Sequence, residues 1–143
     1  SVGGHPLTAM GAGSLVTVLV QSSSVTTSVM VPFAGSGALT TRQIYPLTLG
    51  ANVGTTITAL IAALAVTGDG ANLALTIAIV HTLFNVFGII IIYGLPFLRG
   101  LPLMGAEILA KVASERKIYA VAWVVTVFLA IPALATLIKV LFT

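Results

Sequence analysis

Apolar residues run along this chain in four long blocks, separated by short polar or charged stretches. The first extends from about Leu7 to Leu39, the second over 44–66, the third over 71–98 and the fourth over 118–142. A helix rises about 1.5 Å per residue and a bilayer core is about 30 Å thick, so roughly 20 apolar residues suffice to cross. Blocks two, three and four meet that length and predict three transmembrane helices. The first block reads differently. Its middle, QSSSVTTS at residues 21–28, has seven polar residues in eight and no charge. The arms on either side, Leu7–Val20 and Ser24–Leu39, span only about 21 and 24 Å as helix. Two short helices around a polar tip predict a re-entrant hairpin over residues 5–39. Pro32, Gly35 and Gly37 oppose the rival, one unbroken tilted helix. Non-helical backbone at membrane depth persists only where protein buries it or where it lines a cavity. The tip therefore predicts a lined site.

Composition fixes the class. The chain has 143 residues, 58% of them apolar and 6% charged, against about 25% charged in soluble domains. Nine charges cannot clothe a water-facing surface, so the expectation is a single all-α membrane domain over 1–143, multi-pass in the cell (inner or plasma) membrane. The net charge of +3 is small and dispersed and does not favour a nucleic-acid partner. With no cysteine, disulfide and thiolate–metal chemistry are excluded. The opening SVGGHPLT has neither the basic n-region of a signal peptide nor an initiator Met, as expected of a piece of a longer chain.

The linkers are TTRQ at 40–43, TGDG at 67–70 and a longer stretch at 99–117. The last sets Glu107, Lys111, Glu115, Arg116 and Lys117 around Ile108 and Leu109, the pattern of an interfacial linker with a short amphipathic helix. With a hairpin first, TTRQ and 99–117 share one side of the membrane. That side carries Arg42, Arg99, Lys111, Arg116 and Lys117, the other only Asp69 and Lys139. The positive-inside rule then puts the charged linkers in the cytoplasm.

Three polar motifs carry candidate chemistry. At the tip, Gln21 offers an amide, and Ser22, Ser23 and Ser24 offer hydroxyls that both donate and accept. A helix starting near Ser23 or Ser24 would turn its free N–H groups and positive dipole end to the cavity, an anion site. Ser24, Thr27 and Ser28 then share one helix face, and hydroxyl and carbonyl oxygens on the same loop suit a small hard cation. The competing reading has these hydroxyls bonding back to their own helix or gluing helices together. In PLTLGANVGTTITAL, residues 46–60, Thr48, Asn52, Thr55 and Thr56 form one stripe. Gly50 and Gly54 are a small-xxx-small pair suited to close helix packing, which accounts for the glycines but not for an asparagine inside lipid. No Lys follows the second Gly, so this is not a phosphate-cradling P-loop. In HTLFN, residues 81–85, His81 and Asn85 lie one turn apart, as structural hydrogen-bonders or as supporting partners of the site. Thr48 belongs to the same supporting set. Tyr93 and Trp123 read as packing or interfacial aromatics, and Pro96, Pro102 and Pro132 as helix ends or kinks.

The acids decide a further point. Asp69, Glu107 and Glu115 all lie in linkers, so a cation bound in the apolar blocks has no fixed negative partner from this chain. A bound anion supplies one, and their mutual attraction is a coupling free energy. The serines have no intramembrane His–carboxylate pair to activate them, which argues against an enzyme. No cofactor is expected beyond a coupling ion.

Together, QSSSVTTS, GANVGTTITA about 24 residues later, HTLFN and PFLR resemble the type II sodium–phosphate cotransporter family over nearly the whole chain. That family is built from two inverted repeats, each with a QSS and a GANxGT motif. This chain has one of each and is most similar to the second repeat, in YPLTLGANVGTTITA and in the segment from HTLFN to PFLR. The resemblance implies sodium-coupled symport of inorganic phosphate, this chain supplying one half of an inverted-repeat transporter. It implies phosphate and sodium at Gln21, Ser22, Ser23 and Ser24, with support from Thr26, Thr27, Ser28, Asn52, Thr55 and Thr56. Sodium falls to Gln21, Ser22, Ser23, Ser24 and Thr55. It also implies a partner, either the missing repeat on another segment or a second copy in the opposite orientation, making a dimer. The family's second hairpin enters from outside, the reverse of the charge count. The residues themselves leave two other functions open: a symporter of another small anion, such as sulfate or a carboxylate, and a non-transporting membrane module.

Overall fold

The computed structural model describes residues 5–142, and every regular element among them is helical. The helices are α1 (Pro6–Val20), α2 (Ser23–Gly35), α3 (Thr41–Leu64), α4 (Ala71–Gly88), α5 (Pro96–Glu115), α6 (Lys117–Val125) and α7 (Ile131–Phe142). A single 3₁₀ turn, Gly68–Gly70, leads into α4. A wider-wound π stretch, Ile89–Tyr93, prolongs α4, and another, Thr126–Ala130, joins α6 to α7. Three helices are long and apolar enough to cross a membrane: Thr41–Leu64, Gly68–Tyr93 and Lys117–Phe142.

Local sequence explains where these elements start and stop. His5 caps α1, its Nδ1 accepting from the Leu7 N–H at 3.3 Å, and Pro6 needs no donor at the first helical position. At α3 the Thr40 Oγ1 accepts from the Gln43 N–H at 3.3 Å while the Gln43 Oε1 accepts from the Thr40 N–H at 2.9 Å, a capping box. The third span ends at Tyr93 rather than near Leu98. The Gly94 N–H closes the helix on the Ile89 carbonyl at 3.1 Å, and Pro96 then opens a new one. Most of the 99–117 stretch accordingly lies in the 20-residue helix α5, longer than the short amphipathic helix its charges suggest.

The chain divides after Arg99 into two compact units. In the first, α1 and α2 form a hairpin. The Thr17 Oγ1 donates to the Thr26 Oγ1 at 2.9 Å, in a buried contact. Nine residues along one continuous helix would lie about 13.5 Å apart, so the chain must fold back between them. Helix α3 packs against α1 in parallel, through small residues. Ala9, Gly13 and Thr17 are buried on α1, and Pro46, Gly50 and Gly54 on α3. A Cβ on Gly13 would run into the Leu47 carbonyl, and one on Gly50 into the Met10 carbonyl. One on Gly54 would lie 2.6 Å from the Ser14 carbonyl oxygen and 2.7 Å from the Thr17 Cβ. Lipid gives no hydrophobic drive for helix association, so this close backbone approach supplies the adhesion by dispersion. Helix α4 runs antiparallel to α3, tied by Asn85 to Asn52 and by the Tyr45 and Tyr93 rings, whose centroids are 5.4 Å apart.

The depth of the hairpin follows from this register. Thr17 lies against Gly54. The tip at Gln21 is one turn further on, level with about residue 58 of α3, and α3 continues about 9 Å beyond it to Leu64.

In the second unit α6 and α7 bury no residue within the chain. Large side chains such as Phe128, Leu129, Leu137 and Leu141 are more than half exposed. Trp123 and Phe128 make an edge-to-face pair at 6.1 Å.

Candidate functional site

The polar stretch at 21–28 is where the helix breaks. Gln21 caps α1 in the left-handed conformation, φ 57°, which turns the chain out of the helix. Ser22 is extended, and its Oγ accepts from the Val25 N–H at 3.3 Å, so that α2 begins at Ser23. The first intrahelical bond of α2 runs from the Thr26 N–H to the Ser22 carbonyl at 3.1 Å. The N–H groups of Ser23 and Ser24 precede it and have no helical partner. The break thus brings the carbonyl end of α1 and the amide end of α2 within two residues of each other. These ends carry about half a negative and half a positive charge, so one tip offers acceptors to a cation and donors to an anion.

The remaining polar residues divide by what their hydroxyls already do. Thr26 is buried against α1 and donates to the Ser22 carbonyl at 3.0 Å. Thr27 donates back to the Ser23 carbonyl at 2.9 Å, as the back-bonding alternative expects of this residue. Ser24 and Ser28 are exposed one turn apart and, with Val25, Val29 and Pro32, line an open groove of about 450 Å³. Gln21 is also exposed, and Ser22 and Ser23 are half-buried.

On α3, Thr48 donates to the Ile44 carbonyl at 3.1 Å, Thr55 to that of Ala51 at 3.1 Å and Thr56 to that of Val53 at 2.8 Å. Each hydroxyl hydrogen is then engaged, and only oxygen lone pairs remain to face a ligand. That suits a cation rather than an anion. The stripe is not uniform: Asn52 is exposed, Thr48 and Thr55 are half-buried, and Thr56 is wholly buried. Gly54 sets this motif against Thr17 and so against the upper part of the hairpin. Among the described residues no side-chain hydrogen bond links Gln21–Ser24 directly to Asn52–Thr56.

On α4, His81 is exposed, while the Asn85 Nδ2 donates to the Asn52 backbone carbonyl at 3.3 Å. The residue that spacing alone does not reveal is Thr17. It lies in the apolar run SLVTVLV, fully buried, and links the hairpin arms. Its only sequence signal is membership of the small-residue row with Ala9 and Gly13, four residues apart. Among the described residues no three His, Cys, Asp or Glu side chains gather to hold a metal. Any cation here meets amide, hydroxyl and carbonyl oxygens.

A model of the Na+/Pi-cotransporter family matches residues 1–105 of the chain. The chain is 45% identical to sodium-dependent phosphate transport protein 2B of Bos taurus over 131 residues, 92% of this chain and 18% of that protein. It is 44% identical to the 2B protein of Homo sapiens over 123 residues, 86% of this chain and 17% of that one. It is 42% identical to sodium-dependent phosphate transport protein 2A of Oryctolagus cuniculus over 126 residues, 88% and 20% of the two chains. The chain spans about a fifth of the length of these curated relatives. No solved structure matches it. On the family model and these identities, the chain belongs to the Na+/Pi-cotransporter family.

Proposed function

We propose that the chain supplies one repeat of a transporter that carries inorganic phosphate into the cell together with sodium, across the cell membrane in which it is a multi-pass protein. The observation that carries this reading is the helix break at Gln21–Ser22, where opposite helix ends meet on an uncharged polar tip. The hairpin is re-entrant: its tip stops alongside α3, about 9 Å short of that helix's far end. Phosphate takes the donors, namely the N–H groups of Ser23 and Ser24, the hydroxyls of Ser22, Ser23 and Ser24 and the Gln21 amide. Sodium takes the acceptors, namely the Gln21 side-chain oxygen, the last carbonyls of α1 and the lone pairs of Thr55. Each ion lowers the electrostatic cost of the other, which couples their movement.

The exposed Gln21, Ser24, Ser28 and Asn52 form half of the site. A second, inverted repeat closes over them, on another segment of the protein or on a second copy of this chain. Rocking of one repeat against the other then exposes the site to each side in turn. The role is transport, not enzymatic catalysis.

Phosphate uptake into liposomes, with and without a sodium gradient, tests the reading. Gln21→Ala and Ser23→Ala should each lower sodium-dependent uptake about tenfold or more, since each removes bonds to a charged ligand. Membrane insertion should be unchanged. Wild-type uptake by both variants would remove the tip from the mechanism. Competition by excess sulfate or a carboxylate against labelled phosphate identifies the anion.

A further inference from the structure

Thr17 lies outside both polar motifs, yet it stands at the head of a chain of hydrogen bonds that ends at the tip. Its Oγ1 donates to the Thr26 Oγ1 at 2.9 Å, and Thr26 in turn donates to the Ser22 carbonyl at 3.0 Å. That carbonyl also receives the Thr26 N–H at 3.1 Å. Both its lone pairs are therefore engaged, and it is turned into α2 and away from any ion at the tip. Ser22 is held at its carbonyl by Thr26 and at its hydroxyl by the Val25 N–H. Thr17 and Thr26 are 0% and 4% exposed, so water cannot replace these bonds cheaply. Thr17 sits so close to Gly54 that a Cβ there would lie 2.7 Å from its own Cβ, which ties its position to α3.

We propose that Thr17 is a positioning residue. Through Thr26 it fixes Ser22 at the start of α2, and so aims the Ser23 and Ser24 N–H groups at the phosphate while α3 holds Thr17 in place. This makes the α1–α3 seam the support of the anion half of the tip, and it rests on the phosphate-transport reading above. A lone threonine packing two helices would contribute stability but would not set ligand affinity. The proposal differs by requiring a change in phosphate affinity that follows the hydrogen bond and not the volume of the side chain.

Thr17→Val keeps the shape and removes the hydroxyl, Thr17→Ser does the reverse, and Thr26→Val cuts the same chain from the other side. The measurements are sodium-dependent phosphate uptake by the full-length natural protein and hydrogen–deuterium exchange of its purified form. Thr17→Val should raise the phosphate KM about three- to tenfold with a smaller change in kcat, as expected for one lost buried bond. It should also speed exchange at the Val25 and Thr26 amides by a similar factor, while Thr17→Ser stays near wild type in both. The double variant with Thr26→Val should be no worse than Thr26→Val alone, because the two residues act in series. An unmoved KM and unmoved exchange in both valine variants would overturn the proposal. So would equal damage by Thr17→Ser and Thr17→Val, or fully additive losses. Should Thr17→Val fail to fold, Thr26→Val reads the same chain. If exchange responds while the wild-type protein shows no sodium-dependent phosphate uptake, the support of Ser22 stands and the transport reading falls.

Discussion

The two units of the chain are both helical and both apolar, yet they use their surfaces in opposite ways. Among the three long helices, α3 is the least apolar and the most buried, with 28% of its apolar 18-residue stretch inside the fold. The span Lys117–Phe142 is the most apolar and has 0% inside. In a soluble protein the order would be reversed. Here lipid is as apolar as a leucine, so hydrophobicity does not decide what packs. Residue size decides it. The α1–α3 seam is made of Ala9, Gly13, Thr17, Gly50 and Gly54, which let backbones touch. Between Lys117 and Phe142 the chain presents Ile, Val, Leu, Phe and Trp with no glycine at all, and its large side chains face outward. The first region is built to hold a polar tip in a fixed place. The second leaves its large apolar side chains unburied.

The comparison breaks most readily at the seam. Gly50→Leu forces a side chain into the Met10 backbone, where no rotamer can escape. It should cost about 3 kcal/mol, lower the thermal midpoint in detergent and abolish uptake. The matched change in the middle of α5, Gly105→Leu, meets nothing within 4 Å and should stay within about 0.5 kcal/mol of wild type or stabilise. Equal losses at the two glycines would show that the seam is not what separates the regions. The second test is applied to the far region. Leu129, 64% exposed, lies near the middle of Lys117–Phe142. Leu129→Lys should raise the apparent cost of insertion by about 2.5–3.5 kcal/mol if lipid covers that face, read from glycosylation-mapped insertion. Undiminished insertion would mean that this side of the helix meets a protein partner or a water-filled cavity.

These contrasts also set what was legible beforehand. Block lengths and the run QSSSVTTS suffice to place α3, the span Gly68–Tyr93, the span Lys117–Phe142 and the break at Gln21–Ser22, because length and polarity act locally. The ends are harder. The third block reads as apolar through Leu98, but hydropathy does not register that Gly94 closes one helix and Pro96 opens the next. Helical spacing put Thr48, Asn52, Thr55 and Thr56 on one stripe. It does not say what faces the stripe, and the fold buries Thr56 while leaving Asn52 exposed. Thr17 is hidden in the sequence for the same reason. Inside SLVTVLV it looks the same whether it meets lipid or another helix, and only its pairing with Thr26 gives it work. Phosphate as the anion comes from family resemblance. The residues alone offer donors and acceptors at one polar tip and leave a non-transporting membrane module open.

The two remaining effects are smaller and sharpen the role of the first region. Gln21 is the one described non-glycine residue with positive φ, a conformation that costs an ordinary side chain roughly 1 kcal/mol. Gln21→Gly should therefore raise stability by up to about 1 kcal/mol, while removing an amide from the proposed site and lowering uptake. A gain in thermal midpoint with a loss of transport would show that strain at the tip is retained for the ligand and not for the fold. A variant less stable than wild type would mean that the Gln21 side chain holds the hairpin together.

The smallest effect is expected at the contact between α3 and α4. There no glycine row brings backbones together, and beside the Tyr45–Tyr93 ring contact the polar link is the Asn85 amide on the Asn52 carbonyl at 3.3 Å. Interhelical side-chain bonds in membranes average about 0.6 kcal/mol, so Asn85→Leu should cost about that much. His81→Leu, one turn away on an exposed face, should cost less. The position of the accepting carbonyl gives the experiment its use. It lies between Gly50 and Gly54, the residues that seat α3 on α1, so the substitution probes α3 beside the seam. If Asn85→Leu changes uptake by no more than its small loss of stability accounts for, α4 merely flanks the site. If it lowers phosphate affinity about as much as Thr17→Val does, α3 is braced from both sides, and the packed region extends from the hairpin through α4 as one support.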